Sequence, residues 1–133
     1  MPKLAPVVVF VLTLLCQTAY GNGNGDCNSD SRLHHVVVVW LKPQYQQPDD
    51  IQRLIAAHTP LRDIPDVLAL DVGIMLPSDR PVVDSSYDVA SHFVFCDAES
   101  MQRYVMHSNH QVFLRQYAAT MIDRYTVFDF VSD

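Results

Sequence analysis

The strand-forming runs of this chain are apolar on both faces, and that restricts the fold more than any other feature. Side chains alternate across a strand. In His35 to Leu41 one face therefore carries His35, Val37, Val39 and Leu41, and the other Val36, Val38 and Trp40. The run Tyr87 to Cys96 sets Val89, Ser91, Phe93 and Phe95 against Ala90, His92, Val94 and Cys96. A sheet with helices on one side and water on the other would alternate apolar and polar residues. An apolar second face is an association patch larger than monomers tolerate. The strands thus predict helices on one face and, on the other, a second copy of the chain packed sheet against sheet.

The N-terminus stands outside that pattern. Met1-Pro2-Lys3 is a short positive start, and Leu4 to Leu15 is a nearly unbroken apolar run too short to span a bilayer. Ala19 and Gly21 then supply small residues two positions apart, as signal peptidase requires. Residues 1–21 are expected to be a signal peptide, and the mature chain an exported protein, periplasmic or secreted, with no membrane association after signal removal. Cys16 ends the apolar run, but lipidation wants small residues before the cysteine and Leu14 and Leu15 stand there. Ordinary export is the expectation. Residues 22–33, rich in Asn, Gly, Asp and Ser, read as a flexible leader, and 34–133 as one domain. Two readings stand for Cys27 and Cys96: one bridge in an oxidising compartment, or a loose tail thiol and a small buried residue.

Acidic residues outnumber basic ones 15 to 9, and no Lys/Arg cluster exists. Nucleic acid is excluded as a partner, since it demands concentrated positive charge.

After the first strand, Lys42-Pro43 is a stop, and Pro48-Asp49-Asp50 opens a helix along which Ile51, Leu54, Ile55 and His58 recur at helical spacing. Thr59-Pro60 and Ile64-Pro65 break that pattern. Val67 to Leu76 reads as a second strand, with Gly73 predicting a bulge or a close backbone approach. Pro77 to Ser86 is a loop and Tyr87 to Cys96 a third strand. Asp97 starts a helix carrying Met101, Tyr104 and Val105; after a break near Ser108-Asn109, a second helix shows Phe113, Tyr117 and Met121 beside Leu114, Ala118 and Ile122. Thr126 to Val131 is the last strand. This order is the split βαβ pattern of a ferredoxin-like α+β domain with a four-stranded antiparallel sheet.

The residues also resemble a known family. His35-Val36-Val37-Val38-Val39-Trp40-Leu41-Lys42-Pro43 is similar to the opening strand of the stress-responsive dimeric α/β-barrel (Dabb) domain. The likeness continues through Ile64-Pro65-Asp66-Val67, Asp71-Val72-Gly73, Tyr87-Asp88-Val89-Ala90, Tyr104 to His110 and Phe128-Asp129-Phe130. It implies a ferredoxin-like protomer and a homodimer whose two sheets form a barrel. It also implies a pocket between sheet and helices, expected to involve Val37, Val89, Phe93 and His107. A plant polyketide cyclase of this family works without a cofactor through a Tyr–His pair matching Tyr104 and His110, with a first-strand histidine matching His35. Its third-strand histidine falls on Val89; here His92 lies three residues further on and on the opposite face.

Tyr104, His110 and His35 are therefore the candidate catalytic residues, an imidazole to accept a proton and a phenol to donate to a developing oxyanion. The plainer reading makes Tyr104 a core residue and gives His110, with Asn109, a capping role at the helix junction. His34 and His58 read as surface or rim histidines. No cofactor and no metal is expected. The function read here is an exported homodimer binding a small apolar molecule, with a stress-response role. The alternative is a cofactor-free enzyme, cyclase-like or monooxygenase-like, using Tyr104 and His110.

Overall fold

The computed structural model describes residues 27–133. The expected signal at 1–21, Cys16 and the leader up to residue 26 lie outside them. Four strands, β1 (Arg32–Leu41), β2 (Ala69–Ile74), β3 (Val89–Phe95) and β4 (Ile122–Ser132), form one antiparallel sheet in the order β2-β3-β1-β4. Helices α1 (Pro48–Ala57) and α2 (Thr59–Arg62) connect β1 to β2. Between β3 and β4 run α3 (Ala98–Met106) and α4 (Ser108–Phe113), the latter continuing through a π-helical turn, Leu114–Ala118, into α5 (Ala119–Met121). The protomer is α+β and ferredoxin-like.

Local chemistry explains the helix starts. Pro48 occupies the first turn of α1 with Asp49 and Asp50, where a missing N–H costs nothing and negative charge meets the helix dipole. Asp97 caps α3 by accepting from the Ser100 N–H and hydroxyl, both at 2.7 Å. Those two bonds hold its carboxyl below the ordinary range. Pro60, expected to break a helix, instead sits in the first turn of α2, the one helical position that tolerates it.

Burial alternates perfectly along β3. Val89, Ser91, Phe93 and Phe95 are buried beneath the helices, while Ala90, His92 and Val94 lie on the open face. Two buried clusters fill the sheet–helix layer. One gathers Leu61, Ile64, Leu70, Phe93, Phe95 and Tyr104. The other is built on Val39, Leu41, Leu54, Val89 and Met121, and Phe113 packs against both. On the far side, β1 presents Val36, Val38 and Trp40 beside Phe128 and Phe130 of β4, which are 57% and 51% exposed. The open face is apolar, as the strand pattern requires.

Several boundaries differ from the sequence reading. β1 begins at Arg32, so the end of the expected leader is strand: Leu33 pairs with Phe95 and Val131 and is buried. Ile122, placed above on a helix stripe, opens β4 four residues before Thr126. Gly73 lies in regular pairing with Ala90, and a Cβ there would meet nothing within 4 Å, so there is neither bulge nor close approach. The irregularity falls between Trp40 and Leu41, where β1 meets β4. His58 is buried, not at the rim. Its Nδ1–H donates to the Leu54 carbonyl at 2.8 Å, and its ring lies 4.8 Å, edge-on, from Phe113. Cys27 and Cys96 are bridged, with Cα atoms 5.3 Å apart, fastening the chain before β1 to the end of β3.

Candidate functional site

A cavity of about 280 Å³ lies between the sheet and the α3–α5 segment. Val37, Phe93, Phe113 and Val127 give it apolar walls, and its titratable lining is His35, Tyr104, His110 and, at the mouth, Tyr125. The mouth opens along β4, where Tyr125 and Val127 remain 67% and 38% exposed.

The junction between α3 and α4 shapes the polar side of this cavity. His107 adopts an extended conformation (φ −66°, ψ 142°) that ends α3, and its Nδ1 accepts the Asn109 N–H at 3.1 Å, capping α4. The Asn109 amide donates to the Pro60 carbonyl at 3.0 Å, tying the turn to α2. The chain therefore doubles back, and the His110 ring reaches Tyr104 with centroids 4.5 Å apart.

His110 Nδ1 lies 2.9 Å from the Val105 carbonyl. A carbonyl only accepts, so Nδ1 carries the hydrogen and Nε2 keeps a lone pair for the cavity. Burial pushes the His110 pKa below its ordinary value; the Val105 bond opposes this, and the His35 imidazole adds a smaller downward push. His110 is accordingly a neutral acceptor at neutral pH. Tyr104 is buried among Phe93, Phe95 and His110, and burial alone raises its phenol far above the usual range, so it stays a donor. On the sheet side, His35 Nδ1 meets Asp129 Oδ1 at 2.6 Å. The carboxylate fixes that nitrogen as a hydrogen-bearing one and orients the ring. The site thus offers two oriented imidazoles and one phenol, sufficient to bind an oxygen-bearing molecule or to move a proton on it.

His35, Tyr104, His110, Val37 and Phe93 all line this one cavity. His107 does not: it is the cap of α4 and lies outside the cavity wall. Val89 also falls outside. It shares the helix-side face with Phe93 but lies four residues away towards Leu54 and Met121, in the second core cluster. Asp129 was missed as a site residue, because only the pairing of β1 with β4 places it opposite His35. Among the described residues, no group of three or more His, Cys, Asp or Glu side chains is placed to hold a metal ion.

The fold and this cavity define a ferredoxin-like α+β domain with a ligand-sized hollow under its helices. Residues 33–132 match the stress responsive A/B barrel domain (Dabb) family, and the chain belongs to it. A Dabb family protein with a ferredoxin-like fold from Mesorhizobium loti is 23% identical (TM-score 0.62), covering 77% of this chain and 98% of its own. A dimeric ferredoxin-like protein of unknown function from Thermobifida fusca is 19% identical (TM-score 0.62), with 77% and 92% covered. Hydroxynitrile lyase from Passiflora edulis is 16% identical (TM-score 0.66), with 77% and 94% covered. At such identities the likeness is one of fold. No curated protein sequence matches the chain.

Proposed function

We propose that this chain acts as an exported homodimer whose sheet–helix cavity takes up a small, mainly apolar molecule bearing an oxygen group. One observation carries the reading: His35, Tyr104 and His110 line one cavity walled mainly by apolar side chains, and the two imidazoles have their Nδ1 atoms held by Asp129 and the Val105 carbonyl. A few placed polar groups in a largely apolar hollow are the usual make-up of a small-molecule site. The apolar open face of the sheet and the dimeric description of the Thermobifida neighbour support the homodimer. Export rests on the pattern of residues 1–21, and a role in stress on the description of the family.

The His35–Asp129 contact favours a second reading, a cofactor-free enzyme. A carboxylate that orients an imidazole is a recurrent arrangement for proton transfer, and one fold neighbour is a lyase. In that reading His110 takes a proton, Tyr104 donates to the resulting oxyanion, and Asp129 positions His35.

Native mass spectrometry of the protein purified without denaturation tests the main reading. The expected spectrum shows two chains with retained small-molecule mass, lost in Val127→Trp, which fills the cavity mouth. A two-chain species without bound mass, in protein from several growth conditions, contradicts it.

A further inference from the structure

The open face of the sheet carries a histidine pair that the cavity does not use. His34 Nδ1 and His92 Nε2 are 2.9 Å apart. The His34 ring lies flat against Phe130, with centroids 4.5 Å apart and planes 7° from parallel, and its Nε2 is 2.8 Å from Ser132 Oγ. With Nε2 held by Ser132, His34 turns Nδ1 onto His92 Nε2, and the two rings share one hydrogen that a metal ion would displace. An oxygen partner on the far nitrogen is how proteins orient metal-ligating imidazoles. Zn–N bonds of 2.0–2.1 Å in a tetrahedron set ligand nitrogens about 3.3 Å apart. The pair needs to open by only about 0.4 Å to hold such an ion.

Two nitrogens do not complete a site, but the position of the pair supplies the others. His92 is the middle residue of β3, and β3 and β1 are the inner strands. The row Asp71, His92, Val36, Phe128 crosses the sheet at its midpoint. In an isologous face-to-face dimer, a residue at the centre of the shared face stands opposite its own mate. Packed sheets are about 10 Å apart, a gap that two imidazoles reaching from opposite sides close around an ion.

Resting on the homodimer proposed above, we infer that His34 and His92 of both copies bind one divalent transition-metal ion at the dimer centre, with zinc as its chemical type. Four imidazole nitrogens complete a tetrahedron, and imidazole suits zinc and its neighbours in the series. Asp71, opposite His92 on the same face, adds negative charge beside the ion. The apolar side chains around the pair shield it from water.

The test titrates zinc chloride into chelator-treated protein by calorimetry, with sedimentation velocity run with and without the metal. The expected result is one zinc per two chains. It should be lost in His92→Ala and unchanged in His107→Ala, which removes an imidazole outside the face. Ser132→Ala, which frees the outer nitrogen of His34, should weaken binding about tenfold. A dimer that binds no more zinc than its His92→Ala variant overturns the metal site and leaves the dimer intact. One zinc per chain on a monomer overturns the shared site. A monomer with or without zinc contradicts the homodimer itself.

Discussion

His110 folds back onto Tyr104, ring centroids 4.5 Å apart, although six positions separate the two residues. A continuous helix brings together residues three or four apart. The contact exists because His107 leaves helical geometry and caps the next helix through its own side chain. His110 braces the junction through the Val105 carbonyl and also lines the cavity.

His110→Ala should therefore cost little stability. The Gln111 amide also donates to Val105, at 2.8 Å, so the carbonyl keeps a partner. Loss of one hydrogen bond and some ring packing predicts about 1 kcal/mol in urea unfolding. A loss beyond about 3 kcal/mol, the range of buried-network disruption, would make His110 chiefly a structural residue.

Stability should fall as the solution is acidified through the imidazole range. His58 and His110 both have pKa values lowered by burial. Between their folded values and the ordinary value near 6.5, the unfolded chain binds more protons, so unfolding free energy rises with pH in that window. Below the folded values the loss is complete. The depressed carboxyl of Asp97 acts separately, at pH below about 4. Denaturation between pH 7.5 and 5 should show the slope, and the double variant His58→Gln, His110→Gln should flatten it. An unchanged slope in that variant would assign the effect elsewhere.

Reducing the Cys27–Cys96 bridge should destabilise the protein substantially. The two cysteines are 69 positions apart, and closing such a loop restricts the unfolded chain by about 4 kcal/mol in the chain-entropy account. The thermal midpoint should fall on adding reductant, and Cys27→Ser should match the reduced protein. Equal midpoints in all three would show that the bridge constrains nothing.

Much of the architecture is legible in local pattern. The β-branched run from His35 to Leu41 marks a strand, and its alternation marks which residues face the helices, Val39 and Leu41 being buried there. What eludes the sequence depends on register between distant strands. Asp129 reads as part of a closing motif until β4 is laid beside β1, and only then faces His35. His107 and His110 share a short segment and a residue type; the single φ/ψ change at His107 makes one a cap and the other a cavity wall. His58 falls on the helical stripe yet reads as a surface or rim imidazole by its polarity; it is buried, with Phe113 edge-on against it. Val89 shares its face with Phe93, but position along the strand, not face, takes it out of the cavity.

Val38→Asp should break the assembly. Val38 sits on the open face opposite Ala90 and Thr126, where a charge would be desolvated by a partner sheet. Sedimentation should show the parent as a dimer and the variant as a monomer or an unfolded species. A folded monomer of the parent at micromolar concentration would remove the reason for the apolar face.

The cavity itself is tested most directly by nitrogen-15 NMR of the imidazole rings at neutral pH, with and without a one-ring aromatic alcohol. His110 should be neutral with its hydrogen on Nδ1. The Nε2 resonances of His35 and His110 should move on addition of the alcohol, while those of His107 stay still. A His110 hydrogen on Nε2, or shifts confined to His107, would contradict the account.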